Sequence, residues 1–383
     1  MTDQAVASPI AEKYLRLHLC REVGPIRFAN LLRELGGIDA VLGASAKSLT
    51  GVTKVGDQVA ANIARGREEI DVAAEIELAR SRGVRILCLA DDDYPVALRT
   101  IPDPPACLYV LGTLQREDAV ALGIVGSRQC SRYGAEQAER FGALAANAGL
   151  TVVSGMARGI DTAAHHGALA GGGRTLAVIG CGLCHLYPPE STELARRIVG
   201  QGALLSELPM SVPPDTKNFP PRNRIIAGLS LGVLVVEAGL RSGALISARL
   251  AMEYNREVFA MPGRIDTPSA EGCHRLIKDS GGKLVTCLGD ILAELGEIGA
   301  TLLPPADSDE QTGANGAPPS IVKLDEYEKK VLQAIGDESA TIEDLCDASG
   351  LSPARVAAAL TGLQLKGVVR RTGPDVYERA GGG

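Results

Sequence analysis

The sequence predicts an α/β fold: an extended Rossmann-like, doubly wound parallel sheet, with an N-terminal helical (SAM or helix-hairpin-helix-like) domain and a C-terminal winged helix. Three observations carry this. From about residue 84 to 300, short β-branched runs alternate with longer helical stretches. Those runs are apolar throughout, as strands buried on both faces of a parallel sheet are. A stretch at 304–320 without one large apolar side chain then separates them from a tail with its own helical periodicity. The 383 residues have room for two or three domains. The expected division is a helical domain at 1–70, an extended Rossmann domain at 71–303, a flexible linker at 304–320 and a winged helix at 321–383.

Residues 1–70 contain short helices joined by glycine turns. Gly24-Pro25 opens one, since proline suits a first helical turn, and Phe28, Leu31, Leu32 and Leu35 recur at helical spacing before Gly36-Gly37. Leu49 to Gly56, running into Gln58–Ile63, resembles a helix-hairpin-helix whose backbone N–H groups hold a DNA phosphate, although only Lys54 supplies charge at the turn. A small all-helical packing domain fits the same residues. Strands are expected at Ala119–Val125, Thr151–Ser154, Thr175–Gly180, Ala203–Ser206, Val233–Glu237, Val258–Met261 and Lys283–Thr286. Ligands of such folds sit beyond the carboxyl ends of the strands. In the tail, helices at Tyr327–Ile335, Thr341–Ala348 (Thr341 as N-cap) and 352–365 precede a strand pair at Val368–Arg371 and Val376–Arg379. The third helix offers a groove mainly Arg355 and Lys366. Eight basic against ten acidic residues over 321–383 favour a protein-contact or regulatory role over duplex readout.

A net charge of −7 excludes the blanket of positive charge that nonspecific DNA binders carry, so an anionic partner must be held in a local pocket. Aromatic residues, at 3%, are too scarce for a broad stacking platform. No apolar run approaches the ~20 residues of a membrane span, and the first residues lack a basic-then-apolar secretion pattern. A cytoplasmic protein without a membrane partner is expected. The nine cysteines, odd in number and irregularly spaced, are expected to be small buried hydrophobes. Cys181-Gly-Leu-Cys184-His185 spells a haem-attachment string. Without an export signal or a second ligand pair it is expected to be a strand-end turn, and no cofactor or metal is expected.

Five strand ends carry loops that topology brings to one rim. The first holds Gly126, Ser127, Arg128 and Ser131; free N–H groups at a helix start and the hydroxyls suit a phosphate, and Arg128 adds a bidentate clamp. The second holds Gly155, Arg158 and Gly159 ahead of Asp161. The third, Gly180 to His185, looks like a dinucleotide fingerprint, but His185 stands in place of the third glycine and Pro188-Pro189 interrupt any helix. The fourth is the most cationic: Lys217, Phe219, Arg222, Asn223 and Arg224 place three cations within eight residues and no acid among them. Pro220 and Pro221 are expected to stiffen this segment and project Phe219, giving phosphates to the cations and a base to the ring. The alternative is that Arg222 or Arg224 ties loops together through salt bridges. The fifth holds Arg241, Ser242 and Gly243 at another helix start.

Catalytic groupings are weak. Asp91-Asp92-Asp93 before Tyr94-Pro95 suits a turn, and His165, one turn beyond Asp161, suits a structural hydrogen bond better than a general base. No reaction is specified, so no enzyme is expected. A nucleotide-binding Rossmann hydrolase of the phosphoribohydrolase or lysine-decarboxylase-like type is the alternative. Its Pro-Gly-Gly-x-Gly-Thr loop is incomplete here, where Glu237-Ala-Gly-Leu-Arg-Ser-Gly243 follows the strand.

Taken together, the loops resemble the DNA-processing protein A family (DprA, also called Smf). The similarity runs through Asp93-Tyr94-Pro95, Pro104-Pro105, Gly126-Ser127-Arg128, Ser154-Gly155, Gly159-Ile160-Asp161, Tyr187-Pro188, Phe219-Pro220, Arg222-Asn223-Arg224-Ile225-Ile226 and Ser242-Gly243. Each motif is weak alone; in this order and spacing they are specific. The resemblance implies a protein that binds single-stranded DNA, protects incoming strands, loads the RecA recombinase in natural transformation and dimerises through the Rossmann domain. It also implies DNA contacts at Gly126, Ser127, Arg128, Lys217, Phe219, Arg222 and Arg224. His274 departs from the asparagine usual in the family pattern, and Ala244 and Ser247 from the more usual serine and threonine.

Overall fold

Nine strands lie side by side in the central sheet, in the order β1-β2-β6-β5-β4-β3-β7-β8-β9 among the described residues. The structure is a computed structural model that describes residues 5–302, 326–335, 340–351, 353, 355, 356, 359, 360, 363, 369–373 and 376–379. The strands are β1 Val84–Cys88, β2 Cys107–Gly112, β3 Ala121–Val125, β4 Thr151–Ser154, β5 Thr175–Val178, β6 Gly202–Ser206, β7 Gly232–Val235, β8 Glu257–Ala260 and β9 Lys283–Leu284. The run from β6 through β9 is parallel, as the buried apolar runs predict. The strand expected from Ala119 starts at Ala121, because Gln115 and Asp118 cap a short 3-10 turn over Arg116–Ala119.

β1 and β2 are the correction to a purely parallel sheet. β2 runs antiparallel to β6 and to β1, joined by a connection whose only helix is the single turn Val96–Arg99. The connection, residues 89–106, carries no helix long enough to cover a sheet face, so it does not build the βαβ crossover of a parallel return.

Side chains alternate between two covered faces. On one, Leu122, Ile124, Val152, Leu234 and Phe259 pack with Ala138, Phe141 and Ala145 of the helix Arg132–Asn147 and with Ile160 and Ala164 of the helix Ile160–Ala170. On the other, Val125, Val153, Val178, Val233 and Val235 meet the helices Phe219–Leu229 and Ala244–Glu253.

The N-terminal helices are part of the same unit, Met1–Pro305. Leu15, Leu17, Leu31 and Ile63 share one buried cluster with Ile86, Tyr109 and Ala177, so these helices cover the antiparallel end of the sheet. Burying each such side chain contributes about 1.5–3 kcal/mol. Pro25 opens its helix as expected, and Gly36 closes it at φ 90°, the left-handed turn that glycine alone adopts without strain. In the Gly51–Gly56 turn, the Thr53 N–H donates to the Glu34 carboxylate at 3.1 Å, and Arg27 and Asn30 bond the turn's carbonyls. A carboxylate therefore occupies the place a helix-hairpin-helix reserves for phosphate.

The second unit is Ala306–Gly383. Its helices Glu326–Ile335 and Ile342–Ser349 and strands Val369–Gly373 and Val376–Arg379 agree with a winged helix, joined by a short third strand, Ala340–Thr341. Thr341 is the N-cap, in a reciprocal capping box with Asp344. Val356, Leu360 and Leu363 are buried in its core with Val331 and Leu345. The expected linker at 304–320, and Lys366, lie outside the described residues.

His165 is buried between the sheet and its own helix, with Nδ1 2.7 Å from the Thr175 hydroxyl rather than on Asp161. Burial, with His166 and Arg222 nearby, lowers its pKa from 6.5 to about 3. Protonation therefore favours the unfolded chain, and the stabilising contribution of neutral His165 is lost as pH falls from 6.5 toward 3. Urea midpoints should show wild type losing stability faster than His165→Gln across that window, by up to about 1.4 kcal/mol per pH unit. Parallel pH profiles would show that His165 is not buried neutral.

Candidate nucleic-acid interface

β3 lies between β4 and β7, and this is where strand order reverses. The connection from β3 to β4 crosses one face, while the chain returning from β6 reaches β7 across the other. The two diverge and leave a crevice at the strand ends, the usual ligand position in such sheets. Here it is a cleft of about 730 Å³. Nine predicted residues line it: Gly126, Ser127 and Arg128 from the first loop, Phe219, Arg222 and Asn223 from the fourth, and Arg241, Ser242 and Gly243 from the fifth.

The cleft's aromatic wall is a cation–π pair backed by a tilted tyrosine ring. The Arg128 guanidinium lies 4.9 Å from the centroid of the Phe219 ring, whose other neighbour is Tyr187 at 5.6 Å. The prolines do not project Phe219. Pro220 and Pro221 open the helix Phe219–Leu229, and its first-turn position leaves the half-buried ring between Tyr187 and Arg128. A base can stack here only where the ring or the guanidinium offers a face.

The floor is charged and dry. Arg222 is 6% exposed, donates Nη1 to the Val178 carbonyl and leaves Nε without a partner among the described residues. Its guanidinium lies against Gly155, where a Cβ would collide with it. Burial pushes the nearby Asp161 carboxyl up, and Arg222 opposes that shift. Asn223 Nδ2 donates to the Gly243 carbonyl at 3.3 Å and ties the fourth loop to the fifth.

Four helix starts reach this rim, that of Phe219–Leu229 and three more, and acids of the chain lie at two of those three. Glu237, 7% exposed, accepts from the Ser131 N–H at 3.0 Å and from its hydroxyl at 2.5 Å, occupying the anion position the first loop seems to offer in sequence. Ser131 also caps its own helix through the Gly134 N–H. At the second, Ile160 N–H donates to the Ser127 carbonyl and Ala157 N–H to Asp161. Gly159 is held at φ 78° there, with no room for a Cβ against Ser127 and Arg128. The third, the helix Ala244–Glu253, lines the cleft through Gly243, Ala244, Ile246 and Ser247, and the Ser242 hydroxyl accepts from its Ala244 N–H at 3.3 Å.

Six predicted residues are therefore elsewhere. Ser131, Gly155 and Gly159 build the walls from behind. Arg158 is exposed and paired with Glu190 at 2.5 Å. Lys217 is exposed and paired at 3.0 Å with Asp215, an acid just before the cationic run. Arg224 is 5% exposed, bonded to Glu207 and 3.4 Å from Asp103: the salt-bridge alternative holds for it. Thr216, Ser247 and Ser269 line the cleft without having been singled out as contacts. Ser247 sits one turn beyond Gly243, which helical spacing signals once the helix start is known.

The Cys181–His185 string is a turn: the Cys181 thiol donates to the His185 carbonyl, and Gly182 and Cys184 bond Val212 and Met210. Asp91 likewise closes a turn through the Cys88 N–H and the Ser8 hydroxyl. His274 bonds Gly263 of the neighbouring loop.

The family model for DNA recombination-mediator protein A matches residues 85–296, and that for the DprA winged helix domain matches 315–373. The chain belongs to the DNA recombination-mediator protein A family, the DprA/Smf proteins. Protein Smf of Synechocystis is 34% identical over 93% of this chain and 96% of its own length. The Escherichia coli Protein Smf is 42% identical over 75% of each. The crystal structure of DNA processing protein A from Streptococcus pneumoniae superposes with a TM-score of 0.65 at 37% identity, over 74% of this chain and 97% of that one. DNA processing protein A from Helicobacter pylori, whose structure describes a single-stranded DNA binding mode, matches with a TM-score of 0.50 at 28% identity over 55% of this chain and 95% of that one. No helix among the described residues is long and apolar enough to cross a membrane.

The close seat of Arg222 on Gly155 makes a test. Gly155→Ala should displace the guanidinium and cost about 1–3 kcal/mol of stability in urea denaturation. A neutral substitution would mean that Arg222 is not seated there.

Proposed function

We propose that this protein binds single-stranded DNA in the β3/β7 cleft, without catalysing a reaction on it. The observation that carries this reading is the pairing of a guanidinium with an aromatic ring at the mouth of a basic cleft, on a chain whose net charge is −7. Arg128 and Arg241 are exposed for phosphates, the Phe219 ring for bases, and the helix start at Gly243 lies at the cleft for a further phosphate oxygen. A rigid duplex cannot offer splayed bases to a ring set in a crevice, so single strands should be preferred. The single-stranded DNA binding mode described for the Helicobacter pylori protein supports the same ligand.

Family membership supports a wider role for this reading. The protein acts in the cytoplasm on DNA taken up during transformation, shields it, passes it to the RecA recombinase and works as a homodimer joined through the Rossmann domain. The DNA-contacting set is Gly126, Ser127, Arg128, Phe219, Arg222, Asn223, Arg241, Ser242 and Gly243.

Affinity against log salt should flatten by about 0.7 in Arg128→Ala, the loss of one phosphate contact on a single strand. Phe219→Ala should weaken binding by about 1–3 kcal/mol with little change of slope, because stacking releases no counterions. If both variants fold and bind as wild type does, the cleft is not the site.

The winged unit has its own core and its own acidic balance, so it should not hold phosphates. A 1–303 fragment measured by fluorescence anisotropy on one oligonucleotide should keep its affinity within tenfold. A larger loss in a folded fragment of unchanged oligomeric state would put the winged helix in the DNA site.

A further inference from the structure

We propose that Arg224 is a positioning residue for the cleft, fixing the rotation of the helix Phe219–Leu229 so that Phe219, Arg222 and Asn223 meet the strand together. This rests on the strand-binding reading above.

Phe219, Arg222 and Asn223 are spaced i, i+3 and i+4, one face of a helix, and all three line the cleft. Arg224 is two residues beyond Arg222, roughly 200° around the axis, and points into the protein instead. It is 5% exposed and gripped by two carboxylates: Glu207, which follows β6, and Asp103, which precedes β2, with Nε 3.4 Å from the latter. Asp103 is held in turn: Tyr254 donates its hydroxyl to it at 2.7 Å, while His18 Nε2 lies 2.9 Å from the main-chain carbonyl oxygen of Glu207.

The connections define what the clamp does. β2 and β6 belong to the antiparallel end of the sheet, and His18 ends the N-terminal helix Pro9–His18. Tyr254 follows the helix Ala244–Glu253, whose start lines the cleft. Arg224 therefore anchors one cleft helix to the sheet's extension and, through Asp103 and Tyr254, to the second cleft helix. A buried guanidinium between two carboxylates tolerates little rotation, because turning away would leave a desolvated charge unpaired. Helix rotation is what decides whether the three cleft residues converge.

The test separates positioning from contact and from stability. Measure oligonucleotide affinity against salt for wild type, Arg224→Ala, Arg224→Lys and Glu207→Gln. As a control, Asp118→Asn breaks the buried pair between Asp118 and Arg174, 2.8 Å apart, at the opposite ends of the strands. Arg224→Ala should lose about tenfold in affinity at an unchanged salt slope, and Arg224→Lys should recover part of it. Glu207→Gln, which keeps side-chain shape, should weaken binding in the same way, and it carries the test if Arg224→Ala does not fold. Asp118→Asn should lower stability and leave affinity alone. The proposal is overturned if Arg224→Ala, or Glu207→Gln in its place, binds as wild type does. It is also overturned if the Arg224→Ala slope flattens by about 0.7, which would make Arg224 a phosphate contact, or if Asp118→Asn weakens binding equally. Failure of wild type itself to bind would refute the strand-binding reading instead.

Discussion

The parallel pairing of β3 with β7 is the constraint on which the site depends. The chain leaves β6 near one end of the sheet and returns to lay β7 against β3 in its middle. The preceding connections from β3 and β4 have already taken the opposite face. Helices on either side of the switch point must therefore splay apart, and the gap at the strand ends cannot be filled by backbone. Everything chemical about the cleft is a choice of what lines that gap.

Much of the lining is turned inward. A helix N-terminus facing a low-dielectric crevice needs a partner for its N–H groups, and in this protein Glu237 and Asp161 supply two of them from within. At the start of the helix Ala244–Glu253 the acceptor is instead the Ser242 hydroxyl, 3.3 Å from the Ala244 N–H. The cationic run behaves similarly. Of Lys217, Arg222 and Arg224, one is surface-paired, one forms the floor and one anchors the helix. Exposed positive charge at the cleft comes instead from Arg128 and Arg241, on two different loops. The modest number of free cations fits an acidic chain that must hold a strand without attracting polyanions everywhere else.

The N-terminal helices illustrate how an accessory segment becomes structural. They share the apolar cluster over β1, β2, β5 and β6 rather than enclosing one of their own. Their one backbone turn suited to phosphate is bonded to Glu34. Their connection to the cleft runs through packing and through His18.

Local sequence determined a large part of this. Seven runs became seven parallel strands, six of them apolar because residues buried on both faces of a sheet must be so, while the edge strand Lys283–Leu284 is exposed. Thr341 and Pro25 marked helix starts because capping and the fixed φ of proline act over a single turn. The loops that reach the rim were legible because a strand followed by glycine and a helix start forces the chain to turn at the strand end. What only tertiary structure decided was the partner of each charged side chain. Nothing within a few residues of Arg224 distinguishes it from Arg222, since Glu207 and Asp103 come from other strands' ends. Glu237 is 106 residues from Ser131. A charge's role is set by the counter-charge it meets, and that meeting is a long-range event which spacing along the chain does not encode.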